Sequence, residues 1–418
     1  MTEVGVGTGR SPVRRVATIV RGVVLGAVVG LLSGVGSAAL LHSLDWATRT
    51  RVEHSWLLWL LPMGGALIGL GFHRFGGRAA RGTNLVLDAV HAVDDPEDPT
   101  SKFGYGPVVP AAMAPIVLAG TTASHLVGGS AGREGAAIQI AASLADTFLR
   151  LIGHSDPEER PMLLRAAIAG GFGSVFGTPV AGAIFGLEMP TAGEQRYDAM
   201  APVFAASIVG DQVTRHLGIH HRFPTPLAVF AITPALMIRV TVAAIAFGVI
   251  ARGFVELTDR IRDVGRRAGP EIRLAVGGAI VLVGTLLVGT RSYNGLSLPL
   301  IETALKGGHV LAVAWLVKLI LTSVTVGSGF PGGEVTPLFC VGATLGNVLA
   351  GPLGGSAPLL AALGYASVFG AAANTPIAFT VLGAELFGSN ALVLFAVANV
   401  VAYLVSGRRS VYSNQRRA

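Results

Sequence analysis

The stretch Phe172-Gly-Ser-Val-Phe-Gly-Thr-Pro-Val-Ala-Gly-Ala-Ile-Phe-Gly-Leu-Glu188 returns later in the chain as Phe369-Gly-Ala-Ala-Ala-Asn-Thr-Pro-Ile-Ala-Phe-Thr-Val-Leu-Gly-Ala-Glu385. Phe, Gly, Thr, Pro, Ala, Gly and Glu coincide between the two copies without a gap. A repeat decides the architecture before any single motif does, because each copy is expected to form the same unit. The chain is therefore predicted to be a tandem duplication.

A second pair of segments supports the duplication. Gly128-Gly-Ser-Ala-Gly-Arg-Glu-Gly135 resembles Gly327-Ser-Gly-Phe-Pro-Gly-Gly-Glu-Val335, with Glu134 and Glu334 at matching places. Each copy leads into an apolar stretch with the pattern of a helix. Both pairs occur in the same order and at nearly the same spacing, which chance glycine richness does not explain.

The composition indicates a membrane protein. The chain has 51% hydrophobic and 13% charged residues, against about a quarter charged in soluble domains. Apolar runs recur from Val16–Leu44 to Leu392–Val405, and the longer ones approach or exceed the roughly 20 residues that span a bilayer. Since Val16–Leu44 is the first of many such runs, it is interpreted as a retained helix and not as a signal peptide. The predicted fold class is an all-α polytopic membrane protein.

Charge and the repeat together predict the topology. Arginines cluster just outside the first and last apolar runs, which is typical of cytoplasmic termini, so the net charge of +7 does not indicate nucleic-acid binding. If each half crosses the membrane an odd number of times, the second half lies inverted relative to the first. The predicted parts are a cytoplasmic segment over 1–15, repeats over 16–220 and 221–406, and a cytoplasmic tail over 407–418.

Glycines and prolines spread along the chain predict short, broken and tilted helices. In inverted repeats the substrate site forms near the midplane, where broken helices from both halves point their ends at it. The two Gly-rich loops are the conspicuous breaks, so we expect the site between them.

The first loop offers an anion site and a gate. Gly132-Arg133-Glu134-Gly135 precedes a helix start, whose unpaired N–H groups and positive dipole attract anions. The Glu134 carboxylate is a tethered anion that can occupy such a site and leave when protonated, which would couple anion movement to proton movement. The alternative interpretation is a glutamate that caps the helix.

The mirrored loop supplies a second helix start through Glu334, Val335 and Thr336. The Thr336 hydroxyl and the backbone amides are available to an anion. A carboxylate beside an anion site repels the substrate unless it is protonated or turned away, so Glu334 is a candidate for proton transfer. The alternative is a cap that faces water.

Four further residues are candidates. Thr83 or Asn84 begins a helix, and either side chain can cap it or donate to an anion. Glu188 is a candidate for proton entry or a solvated helix end, and Tyr412 is a candidate for anion binding or for the interfacial aromatic belt. The acidic loop Asp94–Asp98 is interpreted as a hydrated connection with no role.

With these residues the chain resembles the CLC family of chloride channels and proton-coupled anion antiporters. Gly132-Arg-Glu-Gly135 is similar to the family signature around its gating glutamate, Gly333-Glu-Val-Thr-Pro337 falls where Gly-x-Phe-x-Pro is expected, and Tyr412 falls at the anion-binding tyrosine. The resemblance covers essentially the whole membrane domain. It implies a homodimer with one pathway per subunit.

Departures from the chloride members indicate a branch of the family. Gly82-Thr-Asn-Leu-Val86 lacks the Ser and Pro of Gly-Ser-Gly-Ile-Pro, and Glu334-Val335-Thr336 replaces the aromatic loop. These changes are similar to the bacterial fluoride/proton antiporters. Fluoride is small and strongly hydrated, so an amide and a hydroxyl are suitable close donors. Chloride/proton antiport and a passive anion channel remain alternatives.

The resulting prediction is a transporter of fluoride and protons in the bacterial inner membrane. No cofactor and no metal are expected, and the scattered histidines form no His-Glu-x-x-His motif, so an enzyme is not predicted. The expected partners are the anion, protons, the lipid bilayer and a second copy of the chain, without nucleic acid.

Overall fold

The computed structural model describes residues 12–91, 108–153, 156, 158–221 and 224–417. The acidic loop Asp94–Asp98 lies outside these residues. Helices of the first half are α1 Pro12–Glu53, α2 Leu61–Gly71, α3 Thr83–His91, α4 Met113–Leu126, α5 Glu134–Leu151, α6 Glu159–Phe176, α7 Pro179–Glu188 and α8 Met200–His216. Helices of the second half are α9 Pro234–Gly265, α10 Pro270–Val288, α11 Leu298–Leu305, α12 Ala314–Gly327, α13 Val335–Leu353, α14 Ala357–Ala372, α15 Pro376–Phe387 and α16 Leu392–Ser406.

The two halves repeat the same helix order. Among the described residues, each helix from α1 to α8 has a counterpart of similar position from α9 to α16. Packing follows the repeat, because α1 lies against α8 as α9 lies against α16, and α6 lies against α8 as α14 lies against α16. The all-α inverted-repeat fold predicted from the sequence is confirmed.

Helix length and composition fit a membrane. Six helical stretches of the described chain are long and apolar enough to cross a bilayer, and α7, α12, α14 and α15 are shorter apolar helices. The apolar run Met162–Leu187, which the sequence presents as one stretch, is two helices. It breaks because Gly177 adopts a left-handed φ of 74° and Pro179 begins α7.

A cluster of buried aromatic side chains joins the halves at the centre. Phe172 stacks on Phe185 with ring centroids 4.3 Å apart, and its edge meets Phe379 at 5.9 Å. Phe379 in turn contacts Phe369 at 5.0 Å and Phe339 at 5.9 Å. Since these rings come from both repeats, neither half can bury its aromatic face alone.

Helices α7 and α15 cap each other. The Glu188 carboxylate, at the end of α7, accepts from the backbone N–H groups of Ile377 at 3.2 Å and Ala378 at 2.8 Å, at the start of α15. The Glu385 carboxylate, near the end of α15, accepts from Val180 N at 3.0 Å and Ala181 N at 2.7 Å, at the start of α7. The two helices therefore run antiparallel, as inverted repeats require.

The C-terminal residues return to the first repeat. Strand β1, Thr191–Ala192, pairs in parallel with strand β2, Arg416–Arg417. The Gln415 side-chain amide donates to the carbonyls of Met189 at 2.9 Å and Ala373 at 2.8 Å. The tail is thus part of the packed structure.

The reciprocal caps predict a stability effect. Replacing Glu188 or Glu385 by Ala removes the acceptor of two helix-start amides and should lower the free energy of unfolding by about 2 kcal/mol. The measurement is the thermal unfolding midpoint of the detergent-solubilised protein. Glu302→Ala is the control, because Glu302 is an exposed partner of Lys306 and its loss should cost less than about 0.5 kcal/mol. Equal midpoints for all three variants would contradict the capping role.

Candidate functional site

The two Gly-rich loops bind each other. Gly132 N donates to Gly333 O at 2.5 Å and Gly333 N donates to Gly132 O at 3.0 Å, which forms an isolated antiparallel bridge. A Cβ on Gly333 would lie 2.8 Å from Gly135 N, and a Cβ on Gly132 would lie 2.9 Å from Gly333 O. Only glycine permits this approach. The structure places the loops together, as the repeat predicts.

The Glu134 carboxylate lies on the start of a helix in the opposite half. The residue is fully buried on α5, and its Oε2 accepts from Thr336 N at 3.2 Å and from Arg133 N at 3.1 Å. The Thr336 hydroxyl donates to Oε1. Arg133 Nε lies 3.6 Å from the same carboxylate.

This arrangement sets what the site can bind. The first turn of α13 has unpaired amides and a positive dipole end, and both favour an anion. The Glu134 carboxylate, itself an anion, occupies that position. Glu134 belongs to α5, but its carboxylate accepts from the start of α13 in the other repeat.

Glu334 has the equivalent sequence position but different surroundings. It is the N-cap residue of α13, and its side chain makes no capping hydrogen bond there. Within the described chain no hydrogen bond joins its carboxylate to the start of α5, which would be the mirror image of the Glu134 contact. The side chain is partly exposed and lines a cavity, and it is close enough to Glu134 for electrostatic interaction.

Thr83 and Asn84 do different things. The Thr83 hydroxyl oxygen accepts from Gln139 Nε2 at 3.1 Å, which leaves the hydroxyl proton free to donate. It lies 4.0 Å from the position of a Cβ on Gly135, at the start of α5. The Asn84 Oδ1 accepts from Asn414 N at 3.3 Å, in the C-terminal tail. Thr83 therefore faces the helix start, and Asn84 holds the tail.

Tyr412 and Val335 complete the surroundings. Tyr412 is 3% exposed, so it is not a belt residue at a lipid interface. Its hydroxyl has no hydrogen-bond partner among the described residues, and it is close enough to Glu134 and Glu334 to interact electrostatically. Val335 is the first residue of α13 and is fully buried. Because the Val335 side chain is apolar, Thr336 supplies the polar side chain in the first two residues of α13.

Glu188, the third predicted proton-transfer residue, makes its hydrogen bonds away from the two Gly-rich loops. Its carboxylate is held by the amides of α15, as described above. It is buried, so the alternative of a solvated helix end is wrong. Proton entry through Glu188 stays a prediction.

Two polar residues behind the loops were missed by the sequence reasoning. Lys318 is fully buried on α12, and its Nζ donates to Ser130 Oγ at 3.0 Å, Tyr293 O at 3.0 Å and Gly295 O at 2.6 Å. Gln139 on α5 positions Thr83. Lys318 and Gln139 could have been recognised as lone polar side chains near the start of apolar helices. Such residues are costly in lipid and therefore indicate a functional or structural role.

Ser130 lies in Gly128-Gly-Ser-Ala-Gly132, which matches the Gly-x-Ser-x-Gly pattern of a hydrolase nucleophile. Its hydroxyl donates to Tyr293 O at 3.0 Å, contacts Thr322 and accepts from Lys318. These bonds fix the hydroxyl in the loop. The serine therefore positions the loop.

Comparison with known proteins agrees with this geometry. Residues 64–407 match the family described as voltage gated chloride channel. The chain is 39% identical over 406 residues to a chloride/fluoride channel protein of Pseudomonas syringae pv. tomato, covering 95% of this chain and 87% of that protein.

Solved structures show the same fold. A crystal structure of a CLC-type fluoride/proton antiporter superposes with a TM-score of 0.89 at 30% identity, covering 98% of this chain and all of the other. A slow cyanobacterial Cl⁻/H⁺ antiporter superposes with a TM-score of 0.75 at 18% identity, covering 95% of this chain and 96% of that one. The second likeness concerns the fold alone.

The different contacts of Asn84 and Thr83 predict different effects. Asn84→Ala removes the acceptor of Asn414 N and should loosen residues 408–417, whereas the matched variant Thr83→Ala should leave the tail docked. Hydrogen exchange of the tail amides measures this, with about a fivefold faster exchange expected for the loss of one hydrogen bond of roughly 1 kcal/mol. Faster exchange in both variants, or in neither, would contradict the assignment.

Proposed function

We propose, from the premise that this chain belongs to the voltage gated chloride channel (CLC) family, that it exchanges fluoride for protons across a membrane. As a member of that family it is an anion transporter with membrane-spanning helices. The observation that carries the proposal is the Glu134 carboxylate on the first turn of α13, where the amide and hydroxyl of Thr336 donate to it.

The exchange follows from competition for those donors. While Glu134 is ionised, its carboxylate occupies the anion position on α13. A proton on the carboxylate removes its charge and weakens its hold on the helix end, so a mobile anion displaces it. When the anion leaves, the carboxylate releases its proton and returns. One carboxyl group thus binds a proton on each passage of an anion, which couples the two movements.

Fluoride suits the donors that surround this position. The Thr336 N–H and hydroxyl bind Glu134, and the Tyr412 hydroxyl, which has no partner among the described residues, lies close enough to interact with it. The Thr83 hydroxyl faces the neighbouring Gly135 at the start of α5. Several strong donors can offset the dehydration of a small anion. The names of the Pseudomonas protein and of the fluoride/proton antiporter structure support fluoride. The Pseudomonas name also includes chloride, which keeps chloride transport as the second candidate.

The remaining site residues take supporting roles. Gly132 and Gly135 let the loops approach, and Arg133 places a positive charge beside the carboxylate. Glu334 is proposed to pass protons to Glu134, because it lies close by and has no helix start to cap. Glu188 could pass protons only by giving up two amide donors, so its proposed main role is the cap.

The proposed setting is the bacterial inner membrane, with both termini on the cytoplasmic side and two copies of the chain in a homodimer. The arginines that flank the first and last apolar runs support the orientation. Fluoride export is the expected direction of use.

The first test is ion flux from liposomes that contain the purified protein, comparing fluoride with chloride while external pH is recorded. Fluoride release that drives proton uptake without an imposed proton gradient is expected. Empty liposomes are the control. Equal chloride flux would assign the chain to chloride transport, and anion flux without proton movement would make it a passive channel.

Glu134→Gln tests the gate in the same assay. Glutamine keeps the shape of the side chain but cannot take up a proton, so proton movement should fall to the level of empty liposomes while folding is retained. Glu302→Gln, an exposed carboxylate, is the matched control and should transport normally. Proton uptake at the original rate in Glu134→Gln would exclude the proposed role.

A further inference from the structure

A cavity connects Glu334 to the end of α9. The volume open to the centres of water molecules is about 30 Å³. The wall has four polar residues, Glu334, Thr258, Asp259 and Arg262, and four apolar ones, among them Val411, the residue before Tyr412. Since one water molecule needs about 10–15 Å³ of this volume, roughly two water molecules fit. The cavity therefore offers room for a short path of water molecules to one of the two paired glutamates.

The polar side chains of the cavity wall range from exposed at the rim to buried inside. Asp259 and Arg262 form an ion pair of 2.8 Å, and their side chains are 40% and 34% exposed, so they lie at the rim. Thr258 is 5% exposed, and its buried hydroxyl has no hydrogen-bond partner among the described residues. A buried hydroxyl in a polar cavity is normally satisfied by water, so Thr258 indicates that the cavity is wet.

We propose that this cavity is the proton-access path to Glu334, with Asp259 as the carboxylate that collects protons at its mouth. The proposal rests on the function proposed above and adds the side from which protons arrive, which is the face where α9 ends. The Gly132–Gly333 bridge holds the Glu334 loop against the Glu134 loop, so a proton on Glu334 is next to the gate.

The charges favour protons over anions as the species that uses this path. Arg262 is paired with Asp259, and Glu334 lies further in, so an anion entering would meet two carboxylates and one arginine among the described residues of the wall. A proton moves without this penalty. It passes from the Asp259 carboxyl through water to the Glu334 carboxylate, which leaves Asp259 ionised, and bulk water then restores the proton on Asp259.

Asp259→Asn tests the path in the liposome assay. The variant should slow coupled fluoride–proton exchange roughly tenfold at neutral pH, with an unchanged ratio of fluoride to protons, and acidification on the α9-end side should restore the rate. Glu256→Gln is the matched control, because Glu256 lies one turn earlier on α9 and pairs with Arg252 outside the cavity. A wild-type rate in Asp259→Asn, or a loss that acid does not restore, would overturn the proposal.

Cysteine labelling tests the cavity independently of transport. The chain has one cysteine, the buried Cys340, so Thr258→Cys in a Cys340→Ala background carries a single thiol. A small cationic methanethiosulfonate should modify it in folded protein and block proton movement. No modification until the protein is denatured would show a dry cavity and overturn the path. If wild-type liposomes show no proton movement although Thr258→Cys is labelled, the exchange function fails and the proton role fails with it.

Discussion

Helix starts in an apolar interior need acceptors for their amides, and this fold supplies them from the opposite repeat. An unsatisfied backbone group in lipid costs several kcal/mol, so a helix cannot begin near the midplane without a partner. Glu188 serves α15, Glu385 serves α7, and Glu134 serves α13. Short broken helices are stable here because each half carries the carboxylates that the other half requires.

The fourth helix start, that of α5, receives no such carboxylate from the opposite repeat among the described residues. By the symmetry of the repeat, Glu334 would serve α5 as Glu134 serves α13, yet within the described residues it faces the cavity beside Asp259 and Arg262. Two identical halves would be satisfied at all four helix starts and would hold every carboxylate in place. The departure from symmetry gives the site one carboxylate bound to a helix and one available to solvent.

Much of this was readable from the sequence, and the rest depended on partners that a sequence does not specify. The gapless match of residues 172–188 with 369–385 predicts the duplication, and the Gly-rich loops predict the meeting point. The sequence does not distinguish the roles of adjacent residues such as Thr83 and Asn84. Their roles differ because Gln139 donates to Thr83 and Asn414 donates to Asn84. The roles of Glu188 and Glu385 were missed for the same reason, since their donors lie in the other half of the chain.

The pairing of β1 with β2 has a consequence for the synthesis of the chain. Strand β1 follows α7 in the first half, whereas β2, Arg416–Arg417, is made only after α16 of the second half. While these residues are still inside the ribosome, the first half is inserted without its closing strand, and Asn84 and Met189 lack their tail contacts. The contacts between β1 and β2 can therefore form only after both repeats have been synthesised.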